Sequence, residues 1–408
     1  MALDIQNESK SVTIAIISDL HCHHSQKFKK DGIAKNHSYL TTDKPRFPAK
    51  EHPVQSLSDL IIKDSIKSDF LLCPGDITNM VDVQGFISGW GFVKEIGEVL
   101  GVKEENVLAT LGNHDVDSRY NLFDEVFDLA KTIGGGYPLK DDLLNETFWA
   151  NGFCIIESEQ LRILVINSVY FHSNKEETVQ GRIKEWQLEK IENELKGKSD
   201  DKIQVALFHH HPIEHSKQKL GDEDKIVLGG QLMDILNENK FDLVIHGHKH
   251  HPWLRYAPGN GNRTPIFSAG SFAATSAAMV TGSKNTFHKI SIRKKAGQRG
   301  CGKIETWEYL PNNGWRLAES GDDFFPMYTG FGYGGAIDIL VDKTKQIIDD
   351  GNGEFIDWNQ FIVQVDEINY LTPDETTELR KKLSRQGIIT NPELPKLPTV
   401  IGRPYKGK

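Results

Sequence analysis

Five times along this chain a short apolar run stops at a packet of side chains able to bind metal or carry protons. Val12 to Ile17 ends in Ser18-Asp19-Leu20-His21, and Asp69 to Cys73 ends in Pro74-Gly75-Asp76. Val107 to Leu111 ends in Gly112-Asn113-His114-Asp115, and Ile203 to Phe208 in His209-His210-His211-Pro212. Phe241 to Ile245 ends in His246-Gly247-His248-Lys249-His250-His251. Short apolar runs bounded by turn residues read as buried strands. Helical spacing appears between them, in Leu57 to Ile66, Trp90 to Leu100, Ile183 to Leu195 and Gly230 to Asn237. The alternation predicts an α/β chain built from βαβ units with right-handed crossovers. In open sheets of this kind ligands bind beyond the carboxyl ends of the strands, where all five packets fall.

Other segments complete the outline. Gly152 to Ile156 and Leu161 to Asn167 read as neighbouring strands, while Ile266 to Ala269 and His288 to Ile292 supply strands to close a second sheet. Tyr120 to Ile133 is expected as a helix stopped by three glycines. Residues 22–56 are polar and carry Lys27, Lys29, Lys30, Lys35, Lys44, Arg46 and Lys50, which predicts a long insertion loop, either a solvated basic loop or a flap over anionic substrate. Composition changes after Arg293, and Thr372-Pro373-Asp374-Glu375 announces a capped helix. The expected division is therefore a catalytic part at 1–292 and an extension of unassigned role at 293–408.

Composition narrows the function. A net charge of -9 over 408 residues gives no global reason to bind nucleic acid or an anionic membrane, although the basic insertion keeps a nuclease in view. The start, MALDIQNESKS, lacks the apolar stretch of a signal peptide, and no run approaches the ~20 residues of a membrane span, so a cytoplasmic protein without a membrane partner is expected. Four scattered cysteines form no CxxC pair, which argues against a disulfide framework or a thiolate zinc site; Cys73 and Cys154 sit among apolar residues and read as core.

One histidine at a strand end is usually a satisfied polar residue. Here eight of the sixteen fall in two windows, His209 to His215 and His246 to His251, and the same placement recurs on five strands. Two carboxylates about 4 Å apart repel by roughly 4 kcal/mol at an effective dielectric of 20, so Asp19 and Asp76 brought together require positive charge. Oxygen and imidazole donors without thiolate suit divalent Mn, Fe, Zn, Co or Ni.

Asp19-x-His21, Gly75-Asp76 with the downstream Asn79, Gly112-Asn113-His114-Asp115, a histidine run before Pro212 and Gly247-His248-Lys249-His250, in that order, resemble the metallophosphoesterase (calcineurin-like phosphoesterase) superfamily. The likeness spans Val12 to about Ile292 and is nearest the bacterial cyclic-nucleotide phosphodiesterase-like branch. It departs from the phosphoprotein phosphatase branch, which carries GNHE in place of GNHD. The resemblance implies two packed β-sheets flanked by helices, an α+β four-layer arrangement, with two divalent metal ions at the strand ends. Asp19, His21 and His250 would hold one ion, Asn113, His209 and His248 the other, and Asp76 would bridge them. His210 is the rival to His209, and His211, His215, His246 and His251 are assigned to supporting or surface positions.

The implied chemistry is hydrolysis of a phosphoester, a phosphodiester in first place, by water activated between the ions. His114, whose neighbour Asn113 faces the metal, is expected to protonate the leaving oxygen or steady the transition state, with Asp115 orienting it. Asn79 is open between substrate contact and turn duty. A small-molecule phosphoester is the expected partner, with a phosphomonoesterase, a nucleotidase or a nuclease as same-fold alternatives. An interaction scaffold that keeps the fold is the alternative of another class; it would have discarded ligands, and all seven positions are filled.

Overall fold

The computed structural model describes residues 9–25, 29–30, 33–34, 37–118, 122–173, 179–198, 201–214, 223–257, 263–279, 282–319, 325–351 and 354–404. Up to residue 331 the strands of the two large sheets are β1 (Lys10–Ile16), β2 (Phe70–Cys73), β3 (Val107–Ala109), β4 (Phe153–Glu157), β5 (Leu161–Ile166), β6 (Ile203–Leu207), β7 (Leu243–His246), β8 (Pro252–Tyr256), β9 (Pro265–Ala269), β10 (Asn285–Lys294), β11 (Cys301–Leu310), β12 (Gly314–Leu317) and β13 (Tyr328–Phe331). The main helices among them are α1 (Pro53–Asp64), α2 (Val83–Leu100), α3 (Asp142–Asn151), α4 (Glu185–Leu195) and α5 (Gly229–Glu238).

These strands form two facing sheets. One has the order β12-β11-β10-β1-β2-β3, with β13 also paired to β11; the other runs β8-β9-β7-β6-β5-β4. The strands that carry the polar packets are parallel within each sheet, β1 with β2 and β3, and β6 with β7. Antiparallel strands β10, β8 and β4 lie outside them. All five packets therefore emerge along the same edges, as expected.

Alternation along β6 shows how the layers pack. Ile203, Val205 and Leu207 enter the core shared by both sheets, while Ala206 and Phe208 join the outer core with Leu188 of α4 and Leu232 of α5. Each fully buried aliphatic side chain contributes roughly 2 kcal/mol by leaving water. On the far side of the first sheet α2 buries Val93, Ile96 and Leu100. The result is the four-layer α/β architecture. At the opposite end of the strands from the packets, Lys294 Nζ of β10 lies 3.0 Å from Asp242 Oδ2 just before β7, a fully buried ion pair joining the two sheets.

Several expectations need correction. Only Asp128–Thr132 of the expected 120–133 helix is helical, and its first two residues lie outside the described residues. Asp117 accepts hydrogen bonds from the Leu122 and Phe123 amides, so a side chain competes there with the helical pattern. Helix α2 starts seven residues before Trp90, capped by Asp82, its first turns masked in the sequence by the poor helix formers Gly85 and Gly89. The 22–56 segment is anchored where it is described: Cys22, Ser38 and Leu40 are fully buried, and α1 already begins at Pro53. The division at 292/293 falls inside β10, and β11 to β13 extend the first sheet.

Beyond β13 come α6 (Ile337–Asp350), α7 (Trp358–Gln364) and α8 (Pro373–Arg385), with a small antiparallel sheet of β14 (Ile356–Asp357), β15 (Ile389–Asn391) and β16 (Val400–Gly402). They enclose a separate core that includes Leu340, Phe361, Leu379 and Ile401. The capping box at Thr372 and Glu375 is present, each side chain bonding the other's backbone amide.

Candidate metal centre

Each packet begins where its strand breaks into a turn. Asp19, His21, Asp76, His248 and His250 all have φ between 46° and 78°, and they make up five of the eleven described non-glycine residues with positive φ. That conformation costs an L-residue roughly 1–2 kcal/mol, so the surrounding fold holds these side chains against a local preference. Glycines allow the turns to approach. A Cβ at Gly112 would collide with the Asp76 carboxylate, and one at Gly247 with that of Asp19.

The structure brings all seven expected ligands together as two groups. In the first, His21 Nε2 lies 2.8 Å from His250 Nε2, 3.6 Å from Asp76 Oδ2 and 4.0 Å from Asp19 Oδ1, and His250 Nε2 lies 3.4 Å from Asp19 Oδ1. In the second, His209 Nε2 lies 3.3 Å from Asp76 Oδ2 and 3.2 Å from Asn113 Oδ1, which is 3.0 Å from His248 Nδ1. Asp76 is common to both.

Donor chemistry tests whether cations fit. His209 Nδ1 donates to the Pro74 carbonyl at 3.0 Å, and His250 Nδ1 donates to that of Ala278 at 2.7 Å. A neutral ring that donates through Nδ1 has a lone pair at Nε2. In each group that lone pair points at acceptor oxygens, an arrangement a cation satisfies. Protons would otherwise have to fill the role. Burial lowers the affinity of His209 for a proton, yet the neighbouring Asp76 outweighs it and raises the ring to about 9. Burial is likewise outweighed at His250, by Asp19, and its pKa rises. His248 is pushed down to about 3, by burial first and then by His209, and so is neutral as a ligand must be. The residues fit two divalent ions.

Parity on β6 separates His209 from His210. His209 falls in step with the inward-facing Val205 and Leu207 and its Nε2 reaches Asp76 and Asn113, whereas His210 packs its ring against that of His248 and places Nδ1 2.9 Å from Ser168 Oγ. His211, His246 and His251 are buried supporting residues, and His215 lies outside the described residues. Cys22, next to His21, is fully buried core.

His114 sits beside the first group, its ring centroid 4.7 Å from that of His21. The structure corrects the role of Asp115. Its two oxygens accept from the Gly112 and Thr78 amides at 2.9 Å each, so it ties the two glycine turns together and does not orient His114. Burial, then the nearby Asp76 charge, push its carboxyl up to about 7. His114 Nδ1 lies 3.1 Å from Asn79 Oδ1 and 3.4 Å from the Met80 amide nitrogen.

Sequence reasoning missed Asp224. This buried carboxylate lies 3.1 Å from His248 Nε2, also binds Lys249 Nζ, and leaves His248 Nδ1 to face Asn113. A carboxylate behind a ligand histidine fixes its tautomer. No spacing in the Asp222-Glu223-Asp224-Lys225 run distinguishes it. A cleft of about 300 Å³ opens at the centre, lined by Asn113, His114 and His248 together with Met80, Val116, Leu122 and Val179.

The model of the calcineurin-like phosphoesterase family matches residues 12–252, more than half of the chain, and the chain belongs to that family. Residues 329–385 match a winged helix-turn-helix family described as associated with calcineurin. Similar solved structures include a purple acid phosphatase from yellow lupin (Lupinus luteus) seeds, 15% identical over 76% of this chain and 53% of that one, TM-score 0.48. An uncharacterized, predicted phosphoesterase of Streptococcus pneumoniae is 12% identical over 79% of this chain and 97% of that one, TM-score 0.31. The anchor protein GAP50 of the Plasmodium inner membrane complex is 11% identical over 78% and 91%, TM-score 0.39. The chain thus spans about half the length of the lupin enzyme. No curated protein matches it. Among the described residues no helix is long and apolar enough to cross a membrane.

Proposed function

We propose that the chain is a dinuclear metal-dependent phosphodiesterase acting on a small-molecule phosphoester. The carrying observation is the pair of donor groups sharing Asp76, with convergent lone pairs in each. Asp19, His21 and His250 would hold one ion and Asn113, His209 and His248 the other, with Asp76 shared between the two donor groups. Two divalent ions, when bound, supply Lewis acidity to the phosphoryl oxygens and lower the pKa of a water. As the oxygen of a water that has lost one proton to solvent bonds to phosphorus and the ester P–O bond breaks, His114 in its protonated form gives a proton to the departing oxygen. Asn79 holds the other nitrogen of that ring, which keeps Nε2 toward the cleft. Asp224 and the Pro74 carbonyl keep His248 and His209 from rotating.

Among the described residues no Lys or Arg lines the cleft. A nucleic-acid strand, whose further phosphates lie beyond the reach of two ions, gains most from such cationic partners, which favours a small-molecule ester. The test is hydrolysis of bis(p-nitrophenyl) phosphate by chelator-treated protein, before and after Mn is added back. Activity lost and then restored is expected; turnover in protein shown to be metal-free would overturn the reading.

A further inference from the structure

The cleft beside His114 is apolar where it meets solvent. Met80, Leu122 and Val179 are 46%, 56% and 49% exposed, and these large hydrophobic side chains converge on one opening from three separate segments. Exposed apolar residues scattered singly need no explanation, but a group of them at the mouth of a polar centre does. Their placement is also enforced. Met80 and the β-branched Val81 both have positive φ, 49° and 57°. Val81 N donates to His114 O at 2.9 Å, which ties that turn to the proposed acid. The one carboxylate in the lining, Asp117, accepts from the Leu122 and Phe123 amides and positions Leu122 at the rim.

We infer that this cleft receives the leaving group of the diester, and that the group is an uncharged apolar alcohol, aryl or alkyl, as opposed to a nucleotide of a polynucleotide strand. The assignment rests on the phosphodiesterase reading, since it is His114, the proton donor to the leaving oxygen, that lines the cleft. Contact with apolar walls favours a leaving group by roughly the transfer free energy of the carbons it buries, while a strand would bring further phosphates to a cleft that no described Lys or Arg lines.

Two diesters with leaving phenols of nearly equal acidity test it: methyl phenyl phosphate and methyl 4-butylphenyl phosphate, assayed by phenol release with Mn present. Burying about half of the butyl group predicts a kcat/KM preference of ~10-fold for the butylphenyl ester. In the double variant Leu122→Ser, Val179→Ser, whose side chains are exposed and outside the core, the preference should fall to about twofold. Equal rates in the natural protein, or a preference unchanged in the variant, overturn this inference alone. Faster hydrolysis of a single-stranded oligonucleotide than of the butylphenyl ester also overturns it. Release of neither phenol overturns the phosphodiesterase reading itself.

Discussion

His114 and Asn79 are bonded to each other, ring Nδ1 to amide Oδ1 at 3.1 Å, across 35 residues of sequence. This contact gives the proposed acid a fixed orientation without involving a metal ligand. His114→Ala should lower kcat by ~10²- to 10⁴-fold while both ions remain bound. Asn79→Ala, which removes the closer partner of the ring and leaves the Met80 amide at 3.4 Å, should cost about tenfold. Metal content by mass spectrometry beside turnover checks both. Loss of an ion from His114→Ala would reassign that residue as a ligand.

Gly112→Ala places a methyl group against the Asp76 carboxylate and amide. Asp76 belongs to both donor groups, so its displacement should weaken both ions, by about 10- to 100-fold in affinity. Calorimetric titration with Mn measures this. Unchanged affinity in a folded variant would show that Asp76 tolerates the shift and is not the bridge.

Asp115→Asn separates a structural role from a catalytic one. Asparagine has one acceptor oxygen, so one of the two buried amides of Thr78 and Gly112 loses its partner, at a cost of about 1–3 kcal/mol. The expected outcome is a lower urea midpoint with the shape of the pH-rate profile preserved. A lost limb in that profile, with stability intact, would return Asp115 to the catalytic group.

Acid stability should depend on Glu157. Partial burial raises its pKa, but hydrogen bonds from Arg162, Lys202 and Lys198 outweigh this and hold it at about 2. A carboxylate with a depressed folded pKa stabilises the protein above its unfolded value, near 4.5, and that contribution disappears as pH falls toward 2. Discounted for solvent screening at a side chain 31% exposed, it amounts to about 1 kcal/mol. Glu157→Gln should therefore lower the melting temperature at pH 7 and converge with the natural protein near pH 2. A constant difference across that range would rule out the linkage.

Much of the centre was legible because its signals are local. Each ligand leaves a strand end directly, so a run such as Ile203 to Leu207 followed by His209 states both the element and its chemistry. Boundaries were less legible. The glycines in the first turns of α2 hide that helix start, and β11 to β13 follow the change in composition after Arg293 that reads as the beginning of a separate region. The winged-helix segment gave its capped helix and little else, since its small core forms only when three helices and a short sheet meet.

What the sequence by itself determined is the order of the five packets, the donor types they carry, and hence the family and the expectation of two ions. These depend on residues adjacent in the chain and on the carboxyl edge of parallel strands, which connectivity dictates. What only the tertiary structure decided is which partner each polar atom meets. His209 was separated from His210 by which face of β6 looks toward the first sheet, and Asp115 was turned to backbone amides, leaving Asn79 to hold His114. Asp224 was placed behind His248, and Leu122 beside Val179 at the cleft. Hydrogen bonds and apolar contacts act over a few ångströms, and only the folding of distant segments onto one another brings these atoms within that range.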